Sequence, residues 1–368
     1  MFPRPLYRLP EGFQMEGHRA PPTLRRIPAH PLSRPRGHSA LLPSMLMFGV
    51  IVASSGLLLM IERGILAEVK TPPPRGDVAW RTVRPEGEDE LELQILRDVR
   101  NRTLRRVCGH QSMPHSVWAL PPGQRRTLLK HIIVNDKYKF LYCYVPKVAC
   151  SNWKRVLKVL DGHLDSVDAK LKMDHKSDLV FLADLSAEQI RYRMRHYYKF
   201  LFVREPMERL LSAYRNKFGE IREYQQRYGM EIVRRYRKKT AAAASKGDDV
   251  TFSEFLQYLL DEDVEKMDEH WMPIYNLCQP CVVPYDYIGS YERLREDANH
   301  ILEAINAPTY IQFPERQSWY KPVTKETFHY FLCNTPQGLI RELLPKYIMD
   351  YSLFAYSLPN ITKDHCRQ

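Results

Sequence analysis

The sequence predicts an α/β fold, a central parallel sheet flanked by helices, with an apolar segment ahead of it. Two observations carry the fold. Residues 140–145 (FLYCYV) and 199–203 (KFLFV) are short apolar, aromatic-rich runs, and each leads through a loop into a helical pattern, over 153–160 and 208–218. Runs apolar on both faces suit the buried centre of a parallel sheet. Strands alternating with helices give an α/β layer structure, which binds ligands at the carboxyl ends of its strands. The third observation is the run at 44–61, SMLMFGVIVASSGLLLMI, which holds no charge and no proline.

In chain order, residues 1–43 are rich in Pro, Arg and His and lack periodicity, which predicts a disordered tail. Residues 44–61 are apolar all round and reach the length a membrane-spanning helix needs, whereas a core helix is usually amphipathic. Seven arginines (4, 8, 19, 25, 26, 34 and 36) precede this run against Glu11 and Glu16, while Glu62, Arg63 and Glu68 follow it. The positive-inside rule then makes the tail cytoplasmic and everything after the anchor luminal, a single-pass type II layout. Residues 62–124 carry Pro72, Pro73, Pro74 and Pro85 among mixed charges and read as a luminal stem. Residues 125–368 have globular composition and form the luminal domain. The sequons at Asn101 and Asn360 both fall on the luminal side and are the expected glycosylation sites.

The 368 residues carry 55 Lys and Arg against 43 Asp and Glu, a net charge of +12. Such an excess favours an acidic partner: nucleic acid, an anionic membrane or a polyanionic sugar. The luminal orientation excludes nucleic acid. Among the seven cysteines, Cys150 reads as a free, partly buried thiol and Cys143 as a core residue of its strand. Cys108, Cys278, Cys281, Cys333 and Cys366 remain, an odd number whose pairing the sequence leaves open. The Cys278-x-x-Cys281 pair has no matching second pair, so it reads as structural or disulfide-forming, and no metal site is expected.

The loops after the two strands carry the chemistry. The first, PKVACSN at 146–152, opens a helix whose free backbone N–H groups and dipole favour an anion. Lys147 adds a charge, and Ser151 and Asn152 add donors, without the GxxxxGK[ST] spelling of a P-loop. The second begins REP at Arg204 and runs through Glu208, Arg209 and Ser212. An arginine there can grip a phosphate with two parallel hydrogen bonds, with the serine completing the shell.

YVPKVACSNWKRVL (144–157) resembles the 5′-phosphosulfate loop of the Golgi carbohydrate sulfotransferases, and FLFVREPMERLLSAYRNKF (200–218) resembles their 3′-phosphate segment. DEHWMP (268–273) and YDYIGSYERL (285–294) are similar to the branch acting on N-acetylgalactosamine. The resemblance runs from about residue 125 to the end. It implies a P-loop-like sulfotransferase fold, residence in the Golgi membrane, and 3′-phosphoadenosine 5′-phosphosulfate as the donor, with no metal. Carried over by position, donor binding falls to Pro146, Lys147, Val148, Ala149, Cys150, Ser151 and Asn152. It falls equally to Arg204, Glu205, Pro206, Met207, Glu208, Arg209, Leu210, Leu211 and Ser212. Lys147 would neutralise the leaving phosphate, a catalytic role. The implied acceptor is dermatan sulfate, at the 4-hydroxyl of N-acetylgalactosamine next to iduronate, with chondroitin as the alternative polymer. Association with other enzymes of glycosaminoglycan synthesis is compatible with it. A non-catalytic glycosaminoglycan-binding membrane protein is the competing class, against which both intact donor loops argue.

A sugar hydroxyl needs a general base. His270, His175 and Glu208 are the candidates, and the residues alone do not choose among them. Two basic stretches, Arg191, Arg193, Arg195 and His196, then Arg234, Arg235, Arg237, Lys238 and Lys239, either line an acceptor groove or form solvated helix faces.

Overall fold

The computed structural model describes residues 88–110, 113–167, 177–239, 244–315, 322–361 and 366. The chain divides into two units, 1–82 and 83–368, and every described residue lies in the second. The tail, the apolar run at 44–61, the first part of the stem and His175 lie outside the described residues. Among the described residues no helix is long and apolar enough to cross a membrane.

Five strands form one sheet in the order β3-β1-β2-β4-β5: β1 Ile132–Asn135, β2 Phe140–Cys143, β3 Val180–Phe181, β4 Tyr198–Val203 and β5 Tyr287–Ser290. The predicted central strands are there, and β2, β4 and β5 run parallel. The sheet as a whole is mixed, because β1 is antiparallel to both β2 and β3. The cause is local. Asn135 Oδ1 accepts from the Tyr138 amide at 2.8 Å and Lys139 takes a left-handed φ of 53°, closing a tight turn. A turn that short joins only antiparallel strands; a parallel pair needs a long crossover. The expectation of a central parallel sheet holds for β2, β4 and β5 but overlooked this Asn-Asp turn and the strand ahead of it.

Those crossovers are helical. The helix Cys150–Leu160 leads from β2 and buries Trp153, Val156, Leu157 and Leu160, a 3.6-residue spacing, against the sheet. The helix Pro206–Glu220 follows β4 and buries Met207, Leu210, Leu211 and Phe218. Full burial of each such side chain contributes about 1.5–3 kcal/mol. Trp153 packs against Phe200 and Phe202 at ring separations of 5.0 and 5.4 Å. Gly289 on β5 faces Phe202, where a Cβ would come within 2.5 Å of the ring. The close fit of β5 on β4 therefore requires glycine.

The stem predicted over 62–124 contains a folded element. Residues Glu88–Cys108 form a helix, acidic at its start and basic at Arg105 and Arg106, which suits the helix dipole. Its buried Arg100 donates to the Phe354 carbonyl and to Ser290 Oγ, both at 2.8 Å. A Cys108–Cys281 disulfide ties its end down. The folded unit thus begins ahead of residue 125.

The other disulfides are Cys143–Cys278 and Cys333–Cys366, and Cys150 is the free thiol. Cys143 is buried as expected, but as half of a cross-link; the five cysteines left over by the sequence become six.

Candidate active site

The loop between β2 and its helix brings backbone polarity to a point. Lys147 and Ala149 both hold left-handed backbone conformations, φ 70° and 55°. Ala149 caps the helix without a side-chain hydrogen bond. The Asn152 and Trp153 amides fold back onto the Ala149 carbonyl at 3.0 and 3.2 Å, while those of Cys150 and Ser151 come too early in the helix for an intrahelical acceptor. Two left-handed residues on either side of Val148 bend this loop into a shape that suits an anion. Lys147 Nζ reaches Asn216 Oδ1 at 3.0 Å, so the lysine is steered by the second helix.

Arg204 leaves the end of β4 and is 1% exposed. Its Nη1 donates to the Lys147 carbonyl at 3.2 Å, its guanidinium lies 4.0 Å from the centre of the Tyr291 ring, and Glu208 stands 3.6 Å from its Nη2. Its buried Nε has no hydrogen-bond partner among the described residues. An orphaned buried donor of this kind costs about 1–3 kcal/mol, more on a charged group, unless an anion completes it. A donor with two anionic ends fits this pairing of cradle and guanidinium.

The rest of the second segment divides. Ser212 is buried and, with Glu208 and Asn216, lies on one face of the helix at four-residue spacing. Pro206, Met207, Leu210 and Leu211 are core. Glu205 caps the helix, accepting from the Glu208 amide and from Tyr351 Oη. Arg209, nominated as a donor ligand, spends its whole guanidinium on backbone carbonyls instead: Nε on Pro146, Nη1 on Met272 and Nη2 on Glu269, at 3.0, 2.7 and 2.9 Å. It is a strut between the donor loop and the 268–273 loop.

That second loop carries a titratable cluster. His270 Nδ1 lies 2.7 Å from Asp268 Oδ1 and 3.1 Å from Tyr224 Oη. Tyr224 and Tyr228 both donate to Asp268. Tyr224 precedes and Tyr228 lies within a π-helical turn at Gln225–Gly229, a widened geometry frequent at functional sites. Burial pushes the Asp268 carboxyl up, but hydrogen bonding and charge from His270 bring it below the usual carboxylate value. Burial also lowers His270 below an ordinary histidine. Next to it, Glu269 accepts from His131 Nε2 and Tyr144 Oη, both at 3.0 Å. Against the upward pull of burial, the His131 hydrogen bond and the histidine charges hold Glu269 at about 2. Lys154 stands 3.8 Å over the Tyr144 ring and Lys217 4.1 Å over the Tyr224 ring. Burial lowers both amines, and pushes up the Cys150 thiol.

The structure thus joins Lys147 to Arg204, and through Arg209 joins that pair to His270. Tyr144, Asn216, Lys217, Tyr224, Asp268 and Glu269 had no assigned role in the sequence. Asn216 was within reach, one turn beyond Ser212. Asn101 and Asn360 are exposed, as glycan acceptors must be. Among the described residues no group of three or more His, Cys, Asp or Glu is arranged to hold a metal ion.

Residues 130–357 match the sulfotransferase family. The chain is similar to human carbohydrate sulfotransferase 14, 63% identical with all of both chains covered. It is 64% identical to the zebrafish protein of that name, over 90% of this chain and 92% of the other. Mouse carbohydrate sulfotransferase 11 is 38% identical over 74% of this chain and 80% of its own. No solved structure matches.

Proposed function

The chain belongs to the sulfotransferase family as a carbohydrate sulfotransferase, and from that premise we propose that its acceptor is dermatan sulfate, at the 4-hydroxyl of N-acetylgalactosamine next to iduronate, and its donor 3′-phosphoadenosine 5′-phosphosulfate. One observation carries the donor assignment: Arg204, buried with Nε unpartnered, is hydrogen-bonded to the backbone of Lys147 itself. The two anion-binding points are thereby built as one unit.

When bound, the donor supplies a sulfuryl group whose bond to the 5′-phosphate breaks. Lys147 and the amides of Cys150 and Ser151 hold the 5′-phosphate and oppose the charge it gains. Arg204 and Ser212 hold the 3′-phosphate, which ordinary adenine nucleotides lack. His270 takes the acceptor proton on Nε2, because Asp268 fixes its hydrogen on Nδ1. Glu208 suits the base role less, being paired with Arg204.

Three disulfides support an oxidising lumen. With the Arg-rich leader before 44–61, they support a single-pass type II protein of the Golgi membrane, glycosylated at Asn101 and Asn360.

The test is transfer of radiolabelled sulfate from the donor to desulfated dermatan and desulfated chondroitin. Transfer to neither polymer overturns the assignment. Lys147→Ala and Arg204→Ala are each expected to abolish nearly all turnover; retained activity in both misplaces the donor site. Preference for the iduronate-rich over the glucuronate-rich acceptor decides the polymer.

A further inference from the structure

We propose that Trp118, Arg125 and Arg191 form a docking site, outside the active site, for a distant stretch of a polyanionic polysaccharide acceptor. The proposal rests on the sulfotransferase reading for the chemistry of the acceptor, and on the surface itself for the site.

The two basic stretches of the sequence behave differently once folded. In the second, Arg235 is bound to Glu231 and Glu262, and Arg237 to Asp249 and Glu254. Those two charges are neutralised within the protein, while Arg234, Lys238 and Lys239 of the same stretch are exposed with no aromatic ring gathered beside them among the described residues. In the first, Arg193 is committed to Asp136 at 2.7 Å. Arg191 is exposed and stands 5.6 Å from the centre of the Trp118 ring. Arg125, from the helix Pro122–His131, stands 5.8 Å from the same ring and donates to the Trp118 carbonyl at 3.3 Å. Neither arginine has a carboxylate partner among the described residues. Glu188 lies one turn before Arg191, and Glu265 accepts from Gln124.

Four physical features follow. Trp118 is 40% exposed, unusual for so large an apolar side chain, and offers an apolar ring beside cations. Cation–π contact keeps both guanidiniums near it, so less side-chain freedom is lost on binding. Two like charges gathered at one ring repel each other, and an anion spanning them relieves that repulsion. Planar guanidiniums match carboxylate and sulfate groups, which such a polymer presents at regular intervals.

Position connects the patch to the chemistry. His131, hydrogen-bonded to Glu269 in the titratable cluster, ends the helix on which Arg125 lies. Six residues separate them, about 9 Å along a helix. A polymer whose reacting sugar lies at His270 can follow this helix to Trp118; a disaccharide, no longer than this one helical segment, cannot cover both.

The intact protein is loaded on immobilised dermatan sulfate and eluted with a salt gradient, and sulfate transfer is measured on desulfated polymer and on a disaccharide of the same repeat. The variants are Arg125→Ala/Arg191→Ala and, as a change confined to one exposed side chain, Arg191→Glu. Both are expected to elute at lower salt and to raise KM for the polymer about three- to tenfold while leaving KM for the disaccharide and kcat within about twofold. Elution at the wild-type salt, or an equal rise in KM for both acceptors, overturns the docking site. Absence of transfer by the wild-type protein overturns the transferase reading instead, and the elution comparison still decides the site.

Discussion

Asp268 Oδ1 and His270 Nδ1 lie 2.7 Å apart on one loop. The Asp268 carboxyl is held below its usual range, so it is an anion that accepts, and the Nδ1 nitrogen must carry the hydrogen. Nε2 is then the basic nitrogen. Tyr224 and Tyr228 fix the carboxylate from the other side.

The dyad predicts a particular pH profile. Only neutral imidazole accepts a proton, so turnover falls as pH drops through the His270 value, which burial places below the ordinary histidine range of about 6.5. His270→Ala is expected to lower kcat about 10²- to 10⁴-fold with donor KM little changed. In Asp268→Asn the charge that raises the His270 value is gone, so the acid limb moves to still lower pH while kcat falls. A wild-type acid limb above about 7, or an unmoved limb in Asp268→Asn, contradicts the assignment.

Arg209 predicts a coupled loss of stability and donor binding. Three carbonyls from two loops converge on one buried guanidinium. A lysine ammonium cannot match that fork. Arg209→Lys and Arg209→Ala should both lower Tm, the alanine variant by the equivalent of about 3–5 kcal/mol because three buried acceptors lose their donor. At temperatures where the lysine variant stays folded, its donor KM should rise, since Pro146 is released. Thermal melts and donor titrations would show it; a normal Tm would remove the strut from the argument.

The Cys143–Cys278 bond predicts a dependence of the site on oxidation. Cys143 ends β2, three residues ahead of Pro146, and Cys278 ends the helix Ile274–Cys278 just beyond the 268–273 loop. The cross-link therefore braces the same two loops as Arg209. Cys278→Ser is expected to cost about 2–5 kcal/mol of stability. It should lower the yield of active protein more than Cys333→Ser, whose bond lies near the chain end. Equal losses from the two variants would mean the brace is not specific to the site.

These cases show what the sequence could and could not convey. Strand, loop and helix at 140–160 and 199–218 were legible because apolar runs and helical periodicity are local signals. Lys147 and Arg204 stood out as candidates for the same reason, Arg204 directly after β4 and Lys147 in the loop that follows β2. The antiparallel β1 was missed because four residues, Ile132–Asn135, give too short a run, although Asn135 and Asp136 announced the turn. Arg209 read as a ligand because its charge was visible and its three carbonyl partners, about 60 residues away in the chain, were not. Cys143 looked like a core residue because burial and pairing are not exclusive, and its partner is 135 residues distant.

Glu205 supplies the last prediction, one that separates capping from ligand binding. It caps the helix at the Glu208 amide and accepts from Tyr351 Oη at 2.7 Å. Burial pushes its carboxyl up to about 7, an effect that the Glu208 amide and the Tyr351 hydroxyl oppose and the neighbouring Glu208 charge reinforces. An unfolded glutamate titrates near 4.3. Between those values the folded chain holds a proton that the unfolded chain has released, so this residue's contribution to stability declines as pH rises from about 4.3 toward about 7 and is flat above. Glutamine keeps an acceptor for the cap and cannot titrate. Glu205→Gln should therefore fold, bind donor as the wild type does, and lose that part of the pH dependence, becoming the more stable chain toward pH 7. Melting both proteins without donor from pH 4 to 8 tests it. Parallel curves across the window would show that Glu205 ionises normally, and a donor KM raised in the glutamine variant would return it to the ligand shell.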